Sequence, residues 1–212
     1  MKDASFGKLV VFVNSAVPLT LLAWDASQHQ LGTNPINFAL RTLGMCALVF
    51  LVLTLTVTPL RLITGWNFLS NFRRQLGLWA FAYGVMHLLL YFVFDQSLSF
   101  STTIRDVIKR PFILFGMTAL LLMLPLALTS TTSSIKRLGA ARWKRLHQLV
   151  YLSAIAAVVH FFMFVKADIR LPVAFIIAVG ILLIYRAAVA RFPNLRRRNR
   201  VQPAVSRATL SS

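Results

Sequence analysis

Two histidines lie inside long apolar runs, and their positions suit a bound metal. His87 lies in a run that begins near residue 75, and His160 lies in one that begins near residue 148. Metal-binding groups at membrane depth are costly and therefore indicate function. At about 1.5 Å per residue, each lies about 18 to 20 Å from the start of its helix. Two imidazoles at one depth on neighbouring parallel helices could bind a six-coordinate b-type haem.

A purely structural role is the alternative for each of these two histidines. A buried imidazole can simply hydrogen-bond across helices, and it is the matching depth that favours haem here. His29, in the first loop, is expected to be solvated.

His147 is a third candidate ligand. It lies thirteen residues before His160, a rise of about 20 Å, and could bind a second haem nearer the other membrane face. On an ideal straight helix the two rings would point about 140° apart, so tilt, overwinding or a local bulge would be needed. The alternative is an interfacial histidine beside Lys144 and Arg145.

Arginines, not a histidine, stand at the level of His147 on the third predicted helix. Arg73 lies fourteen residues before His87 and about 40° from its face, whereas Arg74 is about 140° away. Arg73 is therefore the better inward-facing candidate, either to neutralise a haem propionate or to replace a ligand. The alternative is an ordinary anchor at the membrane surface.

Membrane-spanning helices are the elements that must position these residues. The 212 residues are 58% hydrophobic with a mean hydropathy of +0.72. Spans of about 17 to 25 apolar residues are predicted at about 8–24, 39–60, 75–94, 112–129, 148–165 and 172–189. Their interiors lack acidic and basic residues, which argues against an ion-coupled transporter. We expect an all-α, six-transmembrane-helix bundle without a separate soluble domain.

Membrane topology explains the net charge of +18 better than nucleic-acid binding, which we do not expect. With both termini cytoplasmic, most Lys and Arg residues lie inside, and four acids lie outside, namely Asp25, Asp95, Asp106 and Asp168. Retention of basic residues on the cytoplasmic side then predicts an N-in, C-in orientation. Residues 1–7 would be a cytoplasmic N-terminus, 8–190 the transmembrane domain, and 191–212 a basic tail against anionic lipid headgroups.

The first apolar run could alternatively be a signal peptide, since Lys2 and Lys8 precede it and Pro18 interrupts it. Its length, the interfacial Trp24 at its end and the lack of a small-x-small cleavage site favour a retained span. The single cysteine, Cys46, excludes an internal disulfide, a cysteine-ligated cluster and a Cys-x-x-Cys-His attachment site. Any haem would be bound noncovalently.

Several segments resemble the MsrQ family of haem-binding membrane subunits, which is of the ferric-reductase-like transmembrane class. The two longest are RRQLGLWAFAYGVMHLLLYF (73–92) and LGAARWKRLHQLVYLSAIAAVVHFF (138–162). Shorter ones are NPINFALRTLG (34–44), LTLTVTPLR (53–61), RPFILFG (110–116) and PLALTS (125–130).

The resemblance implies a multi-pass protein of the bacterial inner membrane that binds one or two b-type haems and, as attributed to the family, FMN. Such proteins pass electrons from the quinone pool, or from a cytosolic flavin reductase, to the periplasmic molybdopterin enzyme MsrP. That enzyme reduces methionine sulfoxide in oxidised proteins. The chain would be an electron-transfer subunit, and the substrate would be reduced in its partner.

On this resemblance His87 and His160 match the outer haem ligands, and His147 matches a third family histidine. Arg73 falls where the related NADPH oxidases keep a fourth histidine, so the coordination of an inner haem stays open. No motif identifies FMN contacts. The alternatives to an electron-transfer subunit are a stand-alone ferric reductase and a non-redox membrane scaffold or assembly factor.

Overall fold

Residues 2–192 are described by the computed structural model, and every regular element in that range is helical. The basic tail predicted at 191–212 therefore lies almost wholly outside the described residues. The α-helices are α1 Lys2–Ser27, α2 Pro35–Thr64, α3 Arg73–Leu90, α4 Phe100–Lys109, α5 Pro111–Leu128, α6 Thr132–Leu138, α7 Ala140–Leu146, α8 Leu149–Phe164 and α9 Arg170–Arg191. A 3-10 turn at Asn67–Asn71 precedes α3, and a π-helical turn at Tyr91–Asp95 continues it.

Six segments are long and apolar enough to cross a membrane, which confirms the predicted number of spans. They are Ser5–Ser27, Pro35–Thr64, Arg73–Asp95, Pro111–Leu128, Ala140–Phe164 and Arg170–Arg191. The connections between them are too short to recross a bilayer, so consecutive spans run antiparallel. We term the end of the bundle that carries Arg61 and Arg73 the basic end, and the opposite end the α4 end.

The second span is longer than predicted. Asn34 begins α2 by accepting a hydrogen bond from the Asn37 N–H, with Pro35 at the first helical position. The predicted span ends at about residue 60, but α2 continues to Thr64. It ends there because Gly65 adopts a φ of 75°, and the Gly65 N–H bonds to the Arg61 carbonyl at 3.1 Å.

Pro59 therefore lies inside a helix and leaves the carbonyl of Leu55, one turn earlier, without its helical donor. Such a group must be satisfied within a membrane. The guanidinium of Arg186, on α9, donates to this carbonyl at 2.7 Å and to the Tyr151 hydroxyl at 2.9 Å. Arg186 thus joins α2, α8 and α9, and the prediction that span interiors lack basic residues was wrong at this position.

The most extensive helix pairings are α2 with α3 and α5 with α8. Ser153 of α8 is fully buried, and its hydroxyl donates to the Ala119 carbonyl of α5 at 2.9 Å. Helix α1 joins the bundle through Tyr83 of α3, whose buried hydroxyl donates to the Ser15 carbonyl at 2.7 Å. The outward faces expose many large apolar side chains, as expected of a surface that contacts lipid.

The two longest connections between the spans contain helices. Helix α4 lies in the connection at one end, and α6 and α7 lie in the connection at the basic end. The Trp143 indole donates to the Thr129 carbonyl at 2.9 Å and holds α7 against the end of α5. A turn at His147 and Gln148 separates α7 from α8, so the fifth span is not one continuous helix.

Loss of Arg186 should destabilise the protein in a way that depends on Pro59. Arg186→Met leaves the Leu55 carbonyl unpaired, and we expect the free energy of unfolding to fall by about 1 to 3 kcal/mol. Pro59→Ala restores a helical donor to that carbonyl, so the double variant should be more stable than Arg186→Met alone. The measurement is thermal unfolding of the detergent-solubilised protein.

Arg191→Met, at an exposed position on the same helix, is the matched control and should change the melting temperature little. If Pro59→Ala fails to recover any of the lost stability, the hydrogen bond to Leu55 is not what Arg186 contributes.

Candidate functional site

His87 of α3 and His160 of α8 lie next to each other towards the α4 end. Their ring centres are 6.3 Å apart, and the ring planes are inclined at 80°. A metal bound by one nitrogen of each ring at about 2.0 Å would lie about 3.2 Å from each ring centre, so two imidazoles on opposite sides of the metal would have centres about 6.4 Å apart. The spacing therefore fits two axial ligands of one metal ion.

Each imidazole is oriented by a backbone carbonyl of a neighbouring helix. The His87 Nδ1–H donates to the Leu40 carbonyl of α2 at 2.9 Å, and the His160 Nδ1–H donates to the Phe112 carbonyl of α5 at 2.6 Å. Because a carbonyl can only accept, the proton of each neutral ring is on Nδ1. Each Nε2 then carries a free lone pair, which is the form that binds a metal.

A glycine one turn after each carbonyl makes room for the imidazole. A Cβ on Gly44 would lie 3.2 Å from the His87 Nδ1, and a Cβ on Gly116 would lie 2.8 Å from the His160 Nδ1. Gly44 is four residues after Leu40, and Gly116 is four residues after Phe112. The same combination of carbonyl, glycine and histidine thus occurs twice.

Sequence analysis did not assign these two glycines and carbonyls to the site, although a signal was present. The segments GMCAL at 44–48 and GMTAL at 116–120 repeat one pattern, and each glycine precedes its histidine by a similar distance along the chain. Hydropathy and helical periodicity do not register such a repeat, because both segments are apolar throughout.

The ligand set indicates what kind of metal group fits between the histidines. Within residues 2–192 no three His, Cys, Asp or Glu side chains converge. A closed zinc site needs four protein ligands, whereas haem brings four nitrogen ligands of its own and needs only the two axial ones. The residues present therefore fit haem.

His147 lies far from this pair, at the basic end, in the turn between α7 and α8. Its ring stacks on Trp143 with ring centres 3.8 Å apart, and its Nδ1–H donates to the Trp143 carbonyl at 3.1 Å. The Leu126 backbone also lies close to this ring. His147 lies two residues before the regular helix that carries His160, so the fifth span has a local irregularity of the kind that the predicted 140° divergence requires.

Arg73 is half-buried and Arg74 is exposed, as their helical positions indicate. Arg73 is close enough to His147, Arg61 and Arg186 for their charges to interact. The ion pairs found within the described chain, Asp106 with Arg110 and Asp168 with Arg170, are both at the α4 end. The clustered cations of the basic end thus suit an anionic group.

Arg186 is a residue of this cluster that sequence analysis missed as a candidate. Among residues 2–192, the buried polar atoms without a hydrogen-bond partner are Arg186 Nε and Tyr185 Oη, both on α9. Unpaired buried polar groups are rare in native proteins and need an explanation, such as a bound group. The signal in the sequence was a single arginine between two apolar stretches of the sixth span.

Comparison with known proteins gives consistent matches. The family described as "Ferric reductase like transmembrane component" matches residues 41–158, a range that contains Gly44, His87, Gly116 and His147. The protein-methionine-sulfoxide reductase heme-binding subunit MsrQ of Rhodospirillum rubrum is 43% identical over 199 residues, covering 93% of this chain and 94% of that protein.

Two further relatives with the same printed name are similarly close. The protein of Azospira oryzae is 46% identical over 180 residues, covering 84% of this chain and 77% of its own length. The protein of Herminiimonas arsenicoxydans is 41% identical over 181 residues, covering 84% and 83%.

Proposed function

Because the chain belongs to the MsrQ family, within the ferric reductase-like transmembrane proteins, we propose that it is the haem-binding electron-transfer subunit of a protein-methionine-sulfoxide reductase system. The observation that carries this proposal is the His87–His160 pair, with its 6.3 Å spacing and its two fixed Nδ1 protons. Bound haem b would supply a one-electron iron couple inside the membrane.

His87 and His160 are proposed as the axial ligands, each through Nε2. The Leu40 and Phe112 carbonyls hold the tautomer and make each imidazole a stronger donor to the metal. Gly44 and Gly116 allow those hydrogen bonds to form. The single cysteine is compatible with noncovalent attachment of the haem.

A second haem b is proposed at the basic end, with His147 as a ligand. Arg73 would neutralise a propionate or take the place of the missing ligand, and Arg186 would contribute its unpaired Nε to the same anionic edge. Arg74 is the weaker candidate because it is exposed. The stacking of His147 on Trp143 supports this assignment, since it fixes the ring before any group binds.

We further propose that the basic end faces the cytoplasm and that the membrane is the bacterial inner membrane, since basic residues are retained on the cytoplasmic side. Electrons would then enter from the quinone pool or a cytosolic flavin reductase, with FMN on this path at residues that we do not assign. They would leave at the α4 end to the periplasmic molybdopterin enzyme MsrP, for repair of oxidised periplasmic proteins. His160 lies four residues before the end of α8, which supports this exit.

Replacement of either paired histidine should abolish the main low-spin b-type spectrum. His87→Ala and His160→Ala each remove one axial nitrogen, so we expect loss of the six-coordinate signal in both single variants. The measurement is the reduced-minus-oxidised absorbance spectrum, together with haem stoichiometry. His29→Ala, in an exposed loop, is the matched control and should retain the full spectrum.

A full spectrum in both single variants would refute the ligand assignment. If the unmodified protein has no Soret band after haem-sufficient expression, the chain is a scaffold or assembly factor. If the purified chain turns over chelated ferric iron without any partner, it is a stand-alone ferric reductase.

A methyl group added at either supporting glycine should weaken haem binding without replacing a ligand. We expect Gly116→Ala to lower haem affinity by about tenfold or more, because groups that orient a metal ligand matter to that extent. Gly44→Ala should have a smaller effect, since its Cβ would lie 3.2 Å from the ring atoms rather than 2.8 Å. Haem titration of the purified variants measures both.

Gly180→Ala is the control for this pair, because a Cβ at that position of α9 would meet nothing within 4 Å. Equal haem affinity in Gly116→Ala and Gly180→Ala would show that the imidazole does not need the space at Gly116.

The two arginines should differ in their effect on the basic end. Arg73→Ala and His147→Ala are expected to cause a smaller spectral loss than the paired histidines do, and to slow reduction by a donor at the basic end. Arg74→Ala, at the exposed neighbouring position, should change neither the spectrum nor the rate of reduction. Unchanged haem content and reduction kinetics in His147→Ala would make His147 an interfacial residue.

A further inference from the structure

Helix α4 has three distinct sectors around its axis, which the 100° step between residues separates. Thr103, Asp106 and Val107 are partly buried and form the packed sector. Phe100, Ile104 and Ile108 form an apolar sector whose residues are 74%, 61% and 76% exposed. The cations Arg105 and Lys109 lie in the remaining sector, about 100° to 140° from Ile104.

The packed sector is anchored firmly enough to fix the rotation of α4. Asp106 accepts hydrogen bonds from the Tyr91 hydroxyl at 2.8 Å and from the Gln96 amide at 3.1 Å. Its other oxygen pairs with Arg110 at 3.0 Å, and the Asp106 side chain is only 13% exposed. The apolar sector is therefore held outward and cannot turn towards the bundle.

We propose that α4 is an interfacial helix that lies in the lipid headgroup region at the α4 end, with Phe100, Ile104 and Ile108 inserted among the acyl chains. The helix connects the end of the third span with the start of the fourth, so it is at the membrane surface. Around its axis the sectors follow in the order protein, apolar and cationic. A helix that lies in the membrane surface beside a protein contacts the protein with one side, the acyl chains with the next and the lipid headgroups with the third.

Neighbouring side chains extend the apolar sector towards the spans. Phe94 and Leu98 precede α4 and are 57% and 59% exposed, and Leu114 in the first turn of α5 is 54% exposed. The Phe100 ring packs on Phe92 of the third span, with ring centres 4.9 Å apart, so the apolar sector meets the outer surface of the bundle at this point. Arg105 and Lys109 then lie at the level of the anionic headgroups.

Through Asp106, the position of α4 in the lipid is transmitted to the haem-proximal end of α3. Tyr91, which donates to Asp106, begins the π-helical turn four residues after His87. The lipid-inserted helix thereby holds the rim of the bundle beside the paired histidines.

The test uses the full chain with Cys46→Ala, reconstituted in vesicles of phosphatidylethanolamine and phosphatidylglycerol. The single substitutions Ile104→Cys and Ile108→Cys are compared with Arg105→Cys and Lys109→Cys at the adjacent positions, each labelled with a small fluorophore. Doxyl-labelled lipids should quench the label at 104 and 108 and leave the label at 105 and 109 bright. Before labelling, the thiols at 104 and 108 should react about tenfold more slowly with a membrane-impermeant maleimide, because apolar surroundings suppress the thiolate.

Equal quenching at 104 and 105 would overturn the proposal. So would fast maleimide reaction at 104 in vesicles that contain this chain alone, which would make the stripe a water-facing docking surface for a soluble protein. Ile108 provides a second position, so the test does not depend on the folding of one variant. Neither outcome depends on haem content, so failure here is distinguishable from failure of the proposed function.

Discussion

A histidine inside a membrane keeps one orientation only if its ring N–H has an acceptor, and the acceptors here are carbonyls of neighbouring helices. The glycine one turn after each carbonyl leaves the space that the imidazole occupies. Each ring thus contacts the backbone of the facing helix, in the two helix pairs that contact each other most extensively. The free Nε2 of each histidine is a consequence of the same hydrogen bond.

The charged and polar groups at the two ends of the bundle are paired in different ways. At the α4 end, carboxylates are available, and Asp106 pairs with Arg110. At the basic end, Arg186 satisfies a carbonyl released by Pro59 and still has an unpaired Nε. Arg186 thus stabilises the bundle and also adds positive charge to the basic end.

Hydropathy and helical periodicity predict what is local to one helix, and those predictions match the structure. The six spans are of this kind, as are the equal depth of His87 and His160 and the difference in exposure between Arg73 and Arg74. The supports of the site depend on which helix lies beside which, and periodicity carries no such information. Gly44, Gly116 and Arg186 were therefore not assigned.

The structure departs from the predicted spans at two places, and each departure has a local cause. The second span is predicted to end at about residue 60, but the helix continues past Pro59 to Thr64, and Arg186 supplies the hydrogen bond that the proline cannot. Hydropathy predicts no element between the spans at 75–94 and 112–129, although Phe100, Ile104 and Ile108 recur there at helical spacing. Because only a few residues of this segment are apolar, its average hydropathy is low. An average over the segment does not detect that the apolar residues share one face of a helix.

The repeated arrangement around the two histidines has an architectural consequence. Helices α2 and α5 run in the same direction, as do α3 and α8. Ala80 and Ser153, seven residues before each histidine, are both fully buried, which extends the correspondence. Each of the two helix pairs therefore supplies one carbonyl, one glycine and one histidine in the same order along the membrane, so a change that weakens one support has an exact counterpart on the other side of the site.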